Sequence, residues 1–319
     1  MKRRGSSQRA CLYLPEAVIK EIIIMLHTTF NCIPCLIAQA IETVELSIKD
    51  KKKQHAVINS VLHFLEISDL NLSPPELLKQ IYKIISEITG NNDPYHDIRL
   101  LYNKRLYEKY DDLKRLVYVS SDPVQQAVKL AAAGNILEFK DQGKDVNINE
   151  IVDRAQNLKF GINDYHYFIE DLARYKKILY LTDNSGEIVF DRLLIEIITR
   201  FYPERNHKVT FVVRGTPLLN DATREDAELI ELDKIVSVMD SGDNAPAMIF
   251  DPIARKKSSI YHDAELVIAK GPINFELLYD EKKLIYFIFK VQCNFIAGLL
   301  NTSQGTVVLK RNSNFNHSF

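Results

Sequence analysis

Ile178-Leu179-Tyr180-Leu181 runs directly into Thr182-Asp183-Asn184-Ser185-Gly186-Glu187 and then into the apolar Ile188-Val189-Phe190, and this stretch decides the fold. A short apolar run, a polar break containing glycine and a second apolar segment read as a buried strand, a turn and a helix. The same unit recurs. Val209-Thr210-Phe211-Val212-Val213, Ile235-Val236-Ser237-Val238, Leu266-Val267-Ile268-Ala269 and Thr306-Val307-Val308-Leu309 are further β-rich runs, most of them separated by helical patterns. Near-continuous apolar strands alternating with helices specify a buried, mostly parallel sheet in an α/β layer fold.

Upstream of Lys177 the period is different. From Phe30 to Phe139 the apolar residues recur at helical spacing, beginning with Leu36, Ile37, Ala40, Ile41, Val44 and Ile48. Ser73-Pro74-Pro75-Glu76 combines a serine cap, an early proline and a capping-box glutamate, and Gly90 closes the helix it starts. Asp93-Pro94 and Asp122-Pro123 open two more helices. Asp50-Lys51-Lys52-Lys53 reads as a solvated helix end. This half is expected to be a helical bundle.

Composition narrows the class. The chain has 319 residues, 41 basic and 42 acidic side chains, and is 46% hydrophobic. A formal net charge of −1 argues against a nucleic-acid coat or a polybasic membrane binder, which need a dense positive field. Four cysteines are too few for a disulfide-stapled secreted scaffold, and no apolar run approaches the roughly 20 residues of a membrane span. A cytoplasmic protein is expected.

In an open α/β sheet, ligands bind beyond the carboxyl ends of the strands. Four predicted strand ends carry glycine with acidic, amide or basic residues: Asp183-Asn184-Ser185-Gly186-Glu187, Arg214-Gly215 through Asn220-Asp221, Asp240-Ser241-Gly242-Asp243-Asn244, and Lys270-Gly271-Pro272-Ile273-Asn274-Phe275-Glu276. Asp183, Asn184 and Asp221 offer hard oxygen ligands suited to Mg²⁺ or Mn²⁺. Lys270 at a strand end is placed to clamp a phosphate. A metal facing a lysine suits phosphoryl transfer or phosphate-ester hydrolysis. Asp183 is equally suited to cap the following helix, and Asp-Asn-Ser-Gly is also an ordinary turn. No Gly-x-Gly-x-x-Gly, Walker loop or Gly-x-Ser-x-Gly is present. Cys32-Ile33-Pro34-Cys35 and the distant Cys293 are read first as small apolar side chains, with a redox pair or partial metal site as the alternative.

Taken together these pieces resemble the DUF89 family of metal-dependent damage-control phosphatases, in its archaeal-type branch with an N-terminal Cys-x-x-Cys. The resemblance runs through Cys32–Cys35, Asp93-Pro94-Tyr95, Asp122-Pro123 with Ala133-Gly134-Asn135, and the four loops above, to Phe289-Lys290-Val291-Gln292-Cys293. It implies a three-layer α/β/α domain over about residues 151–319, packed on a helical bundle over 25–150. It implies a divalent metal (Mn²⁺, Mg²⁺, Co²⁺ or Ni²⁺) on Asp183, Asn184 and Asp221. Substrate contacts are expected from Asn135, Glu187, Lys270, Asn274, Glu276 and Lys290. Glu138 stands where the family pattern has an aspartate, and Pro272 replaces a small residue. The family also suggests that Met25 is a natural start, which would leave residues 1–24 as an extension outside the fold.

The expected activity is hydrolysis of small phosphorylated metabolites, with no nucleic-acid or membrane partner and with the oligomeric state left open. Two rivals stand beside it. One is a protein carboxyl methyltransferase, which a Gly-rich loop after the first strand would have favoured. The other is a non-catalytic metal- or metabolite-binding protein using Cys32 and Cys35.

Overall fold

A computed structural model describes residues 27–134, 148–241 and 258–312. Residues 1–24 with Met25, Asn135, Glu138 and the segment Gly242–Pro246 lie outside the described residues, so the expectations placed on them go no further here.

The chain starts with helices α1 (Ile33–Ser47), α2 (Lys51–Ile67) and α3 (Pro74–Thr89). Local chemistry sets their ends. Asp50 accepts from the Lys52 amide at 2.8 Å, so the charge run is the capped start of α2. In α3 the Ser73 amide donates to Glu76 at 2.7 Å, and Gly90 takes the left-handed conformation (φ 72°) that stops the helix. Leu36, Ala40, Val57, Val61, Leu77, Ile81 and Ile85 bury a common core between the three helices.

Helices α4 (His96–Tyr107), α5 (Tyr110–Tyr118), α6 (Pro123–Gly134) and α7 (Ile148–Asn157) lead into the sheet. The remaining elements are β1 (Phe160–Asn163), α8 (Tyr165–Arg174), β2 (Lys177–Leu181), α9 (Glu187–Phe201), β3 (Lys208–Val213), α10 (Arg224–Leu229) and β4 (Ser237–Asp240). They continue with α11 (Ser259–Asp263), β5 (Leu266–Lys270), α12 (Gly271–Leu278), β6 (Ile285–Lys290), α13 (Asn294–Leu299) and β7 (Val307–Arg311). The strands form one seven-stranded sheet in the order β1-β7-β6-β5-β2-β3-β4. Neighbours are parallel except at β6–β7.

Alternate strand residues divide the core in two, as a period of two requires. Ile178, Tyr180, Phe211, Ile268 and Tyr286 pack with α5 to α9 on one face, while Leu179, Leu181, Val267, Phe287 and Phe289 pack with α12 and α13 on the other. The result is the expected α/β fold in three layers, with a mostly parallel sheet.

Three details differ from the sequence reading. The apolar packing does not divide at residue 150: Leu113, Val117, Val128 and Ala132 of α5 and α6 belong to the sheet's core, because their apolar faces meet α9 rather than the first three helices. Strand β4 begins two residues later than Ile235, since the amides of Ile235 and Val236 both bond back to Leu232 in a short 3₁₀ turn. Strands β1 and β6 went unread. β6 is a continuous apolar run, which periodicity alone cannot separate from a buried helix, and β1 is a four-residue edge strand.

Candidate active site

The strand order places β2 between β5 and β3, with the chain proceeding to β3 on one side and returning through β5 on the other. The loops after β2 and β5 therefore diverge at the carboxyl edge and leave a crevice between them, the usual ligand position in such sheets. Asp183 follows β2, Lys270 ends β5, and Asp221 lies in the loop after β3.

These residues meet. The Asn184 Nδ2 donates to Asp183 Oδ2 at 2.8 Å, and Asn184 bridges Asp221 through the backbone. The two loops are laced together by the Ala222 amide on the Asp183 carbonyl at 2.8 Å and the Ser185 amide on the Asn220 carbonyl at 2.9 Å. Gly271, with φ 82°, lies so close that a Cβ there would overlap the Asp183 carboxylate. Only glycine allows both that approach and that backbone angle. Pro272 falls in the first turn of α12, where its missing N–H costs nothing. Asn274 donates its Nδ2 to the Thr182 carbonyl at 3.0 Å and the Lys270 carbonyl at 2.6 Å, so its Oδ1 points the other way.

Lys270 is held differently from a surface clamp. Its ammonium is fully buried and bonds Glu187, Asp191 at 2.8 Å and the Ala131 carbonyl of α6 at 3.0 Å. These three acceptors match its three protons. Asp191 in turn accepts from the Tyr180 hydroxyl at 2.6 Å. Desolvation alone would lower the Lys270 pKa, but Asp191 and Glu187 outweigh it and hold the ammonium charged. Burial, reinforced by Glu187, pushes the Asp191 carboxyl well above the usual carboxylate range against the pull of Lys270.

A second buried network comes from the helical side and had no signal in the sequence beyond Asp93-Pro94 and the Thr-x-x-Asp spacing of a helix cap. Arg99 grips Asp93 with two bonds of 2.6 and 2.8 Å and reaches Asp226 at 3.1 Å. Asn103 donates to Asp226 at 2.7 Å and accepts from the Gly186 amide at 2.5 Å, fixing the turn that follows Asn184. Asp226 also caps α10 through Thr223. Arg214 pairs with Asp221 at 2.5 Å.

The donor set fits a hard divalent cation. Asp183, Asn184 and Asp221 supply oxygens. Burial pushes the Asp221 carboxyl up against the pull of Arg214 and Arg99. The Asn274 Oδ1 is buried with no hydrogen-bond partner among the described residues. No group of three or more His, Cys, Asp and Glu side chains is arranged to hold a metal among the described residues, at the cysteines or at the strand edge, so the candidate set here is two carboxylates and an amide.

Glu276 lies partway along α12, and Lys290 ends β6 on the same sheet edge. Burial raises the Glu276 carboxyl to about 7. Between about pH 4.5 and that value the folded protein keeps a proton the unfolded chain releases, so this group stabilises the fold at low pH and ceases to do so as pH rises through 7. The melting temperature is expected to fall between pH 5 and pH 8, and to fall less in Glu276→Gln, in which the other raised carboxyls are retained. Equal slopes in thermal melts of the two proteins would refute the assignment.

Comparison with known proteins agrees with this picture. Residues 28–308 match the family described as the damage-control phosphatase ARMT1-like domain. The uncharacterized protein MJ0202 of Methanocaldococcus jannaschii is 30% identical over 291 residues, covering 88% of this chain and 94% of that protein. A damage-control phosphatase of Archaeoglobus fulgidus is 35% identical over 239 residues, covering 73% and 81%. The crystal structure of a DUF89 family protein, PH1575 of Pyrococcus horikoshii, superposes with a TM-score of 0.80 at 27% identity, covering 90% of this chain and 100% of that one. PH1575 itself is named a damage-control phosphatase. No helix among the described residues is long and apolar enough to cross a membrane. With its fold and nearly its whole length in agreement, the chain belongs to the damage-control phosphatase ARMT1-like, or DUF89, family.

Proposed function

We propose that the protein is a divalent-metal-dependent phosphatase that hydrolyses small phosphorylated metabolites, sugar phosphates or related phosphomonoesters, in metabolite damage control. The observation that carries this reading is the pair of loops bringing Asp183, Asn184 and Asp221 together at the sheet's switch point. These three residues would hold Mn²⁺, Mg²⁺, Co²⁺ or Ni²⁺. A cation there supplies the positive charge that polarises a phosphoryl group and eases ionisation of an attacking water.

The chain's own groups account for the rest. Gly271 keeps the Asp183 carboxylate free of side-chain crowding, and Asn274 ties the β2 and β5 ends together while leaving its Oδ1 as an acceptor. Lys270 contributes a fixed positive charge at the base of the site through Glu187 and Asp191. Asp183 is placed either to bind the cation or to act as a covalent nucleophile, with Asp221 and Asn184 unchanged in role. Asn135, Glu276 and Lys290 remain candidates for substrate contact. The loop after β2 lacks the glycine-rich turn that a methyl-donor nucleotide would need, which disfavours the methyltransferase rival.

A screen of divalent cations against phosphorylated sugars and cofactors tests the reading. Release of inorganic phosphate that appears on adding a cation and vanishes with a chelator is expected. Absence of turnover with every cation would refute it.

A further inference from the structure

Helix α3 carries a tyrosine whose hydroxyl is unused among the described residues. Tyr82 is 8% exposed and packs in the core formed by the first three helices, yet its hydroxyl has no hydrogen-bond partner among the described residues. Buried tyrosines normally satisfy the O–H, and one that does not calls for an explanation.

Its surroundings supply one. The loop after β3 inserts Leu219 into the same core, with Leu218 packed against it, and Leu219 adopts φ 51° to do so. Asp221 follows two residues later. Tyr82 is thus on the part of the helical layer that the metal-binding loop touches. The groups whose charges reach its hydroxyl are Asp93, Tyr95, Arg99 and Asp221. Burial first, then Asp93, keep the phenol protonated, so at any working pH the hydroxyl is a donor. Asp93 is already gripped by both guanidinium nitrogens of Arg99. A neutral donor left over in the core it shares with Leu219, two residues before Asp221, is suited to an anionic oxygen that arrives with the substrate.

We propose that Tyr82 is a substrate-contacting residue supplied by the helical layer, its hydroxyl donating a hydrogen bond to a phosphoryl oxygen of the bound ester. The assignment rests on the phosphatase reading above. It gives the first three helices a direct part in the site, rather than a role confined to supporting the sheet.

The test is Tyr82→Phe, which deletes only the hydroxyl. Two quantities are measured in the full-length protein with Mn²⁺ present: the inhibition constant of inorganic phosphate against p-nitrophenyl phosphate turnover, and the thermal midpoint. Loss of one hydrogen bond to a charged oxygen is expected to weaken phosphate inhibition about tenfold. The midpoint is expected to stay level or rise, because removing a buried hydroxyl without a partner removes a desolvation cost. An inhibition constant within about threefold of wild type overturns the assignment. So does a midpoint lowered by more than about 3 °C, which would show a hydrogen bond serving the fold. Wild-type protein that neither turns over the ester nor binds phosphate would defeat the phosphatase reading and this assignment with it. An active wild type with an unaltered variant would defeat this assignment alone.

Discussion

Asp183→Ala is expected to abolish metal-stimulated phosphatase activity, with a loss of more than about a thousandfold in turnover while the protein stays folded. The size follows from what the carboxylate does. A metal-centred site stabilises transition-state charge by several kcal/mol, and each ~1.4 kcal/mol is tenfold in rate. Whether Asp183 binds the cation or attacks phosphorus, no neighbouring side chain replaces it: Asn184 is neutral, and the Asp221 carboxylate is engaged by Arg214. Stability should hardly change, because the Asp183 backbone carbonyl, not its side chain, carries the bond to Ala222 that joins the two loops. Asp221→Ala should be equally inactive but less stable, since it also breaks the pair with Arg214 in a buried setting. Hydrolysis of p-nitrophenyl phosphate titrated with Mn²⁺, together with a thermal melt, checks both. Full activity in either variant would refute the ligand assignment.

Lys270→Met is expected to cost about 3–5 kcal/mol of folding stability, the usual penalty for stranding a buried charge by removing its partner. Two carboxylates, Glu187 and Asp191, would lose their shared ammonium, and both are fully buried. The penalty should depend on pH with a definite sign. Without Lys270 the folded-state pKa of Asp191 rises further above its unfolded value. Protonation then rescues the fold at low pH, and the deficit grows as pH rises from 5 to 8. Urea unfolding at the two pH values measures it. A variant as stable as wild type at pH 8, but with weakened phosphate binding, would show instead that Lys270 leaves this cluster to clamp the substrate.

That contrast shows where the sequence was legible and where it was not. Lys270 reads from the sequence as a charged group at a strand end, and it does end β5. Its partners cannot be read, because Glu187 and Asp191 look like one turn of an ordinary helix start until α9 packs behind β5. Arg99 and Asn103 were equally invisible. Residues 96–107 show little amphipathic order, since the buried side chains of α4 mix Tyr102 and Leu106 with Arg99 and Asn103, which are satisfied by Asp93, Asp226 and the Gly186 amide. Tyr82 sits at a core position of α3 and reads as one more apolar residue.

The sequence by itself determined the layered α/β fold, through near-continuous apolar strands such as Ile178–Leu181 alternating with helices and the capping chemistry of Ser73–Glu76. It also determined that the loops holding Asp183, Asn184 and Asp221 lie at the carboxyl ends of the strands, because strand direction follows from the alternation of strand and helix. Only the tertiary structure decided which strands are neighbours. That choice sets Asp183 against Gly271 and closes Lys270 into a buried ionic cluster. It also docks Leu219, and with it Asp221, on the helices that carry Tyr82. The reason is physical: local periodicity records which face of an element is buried, but the partner across that face is chosen by packing between segments a hundred or more residues apart.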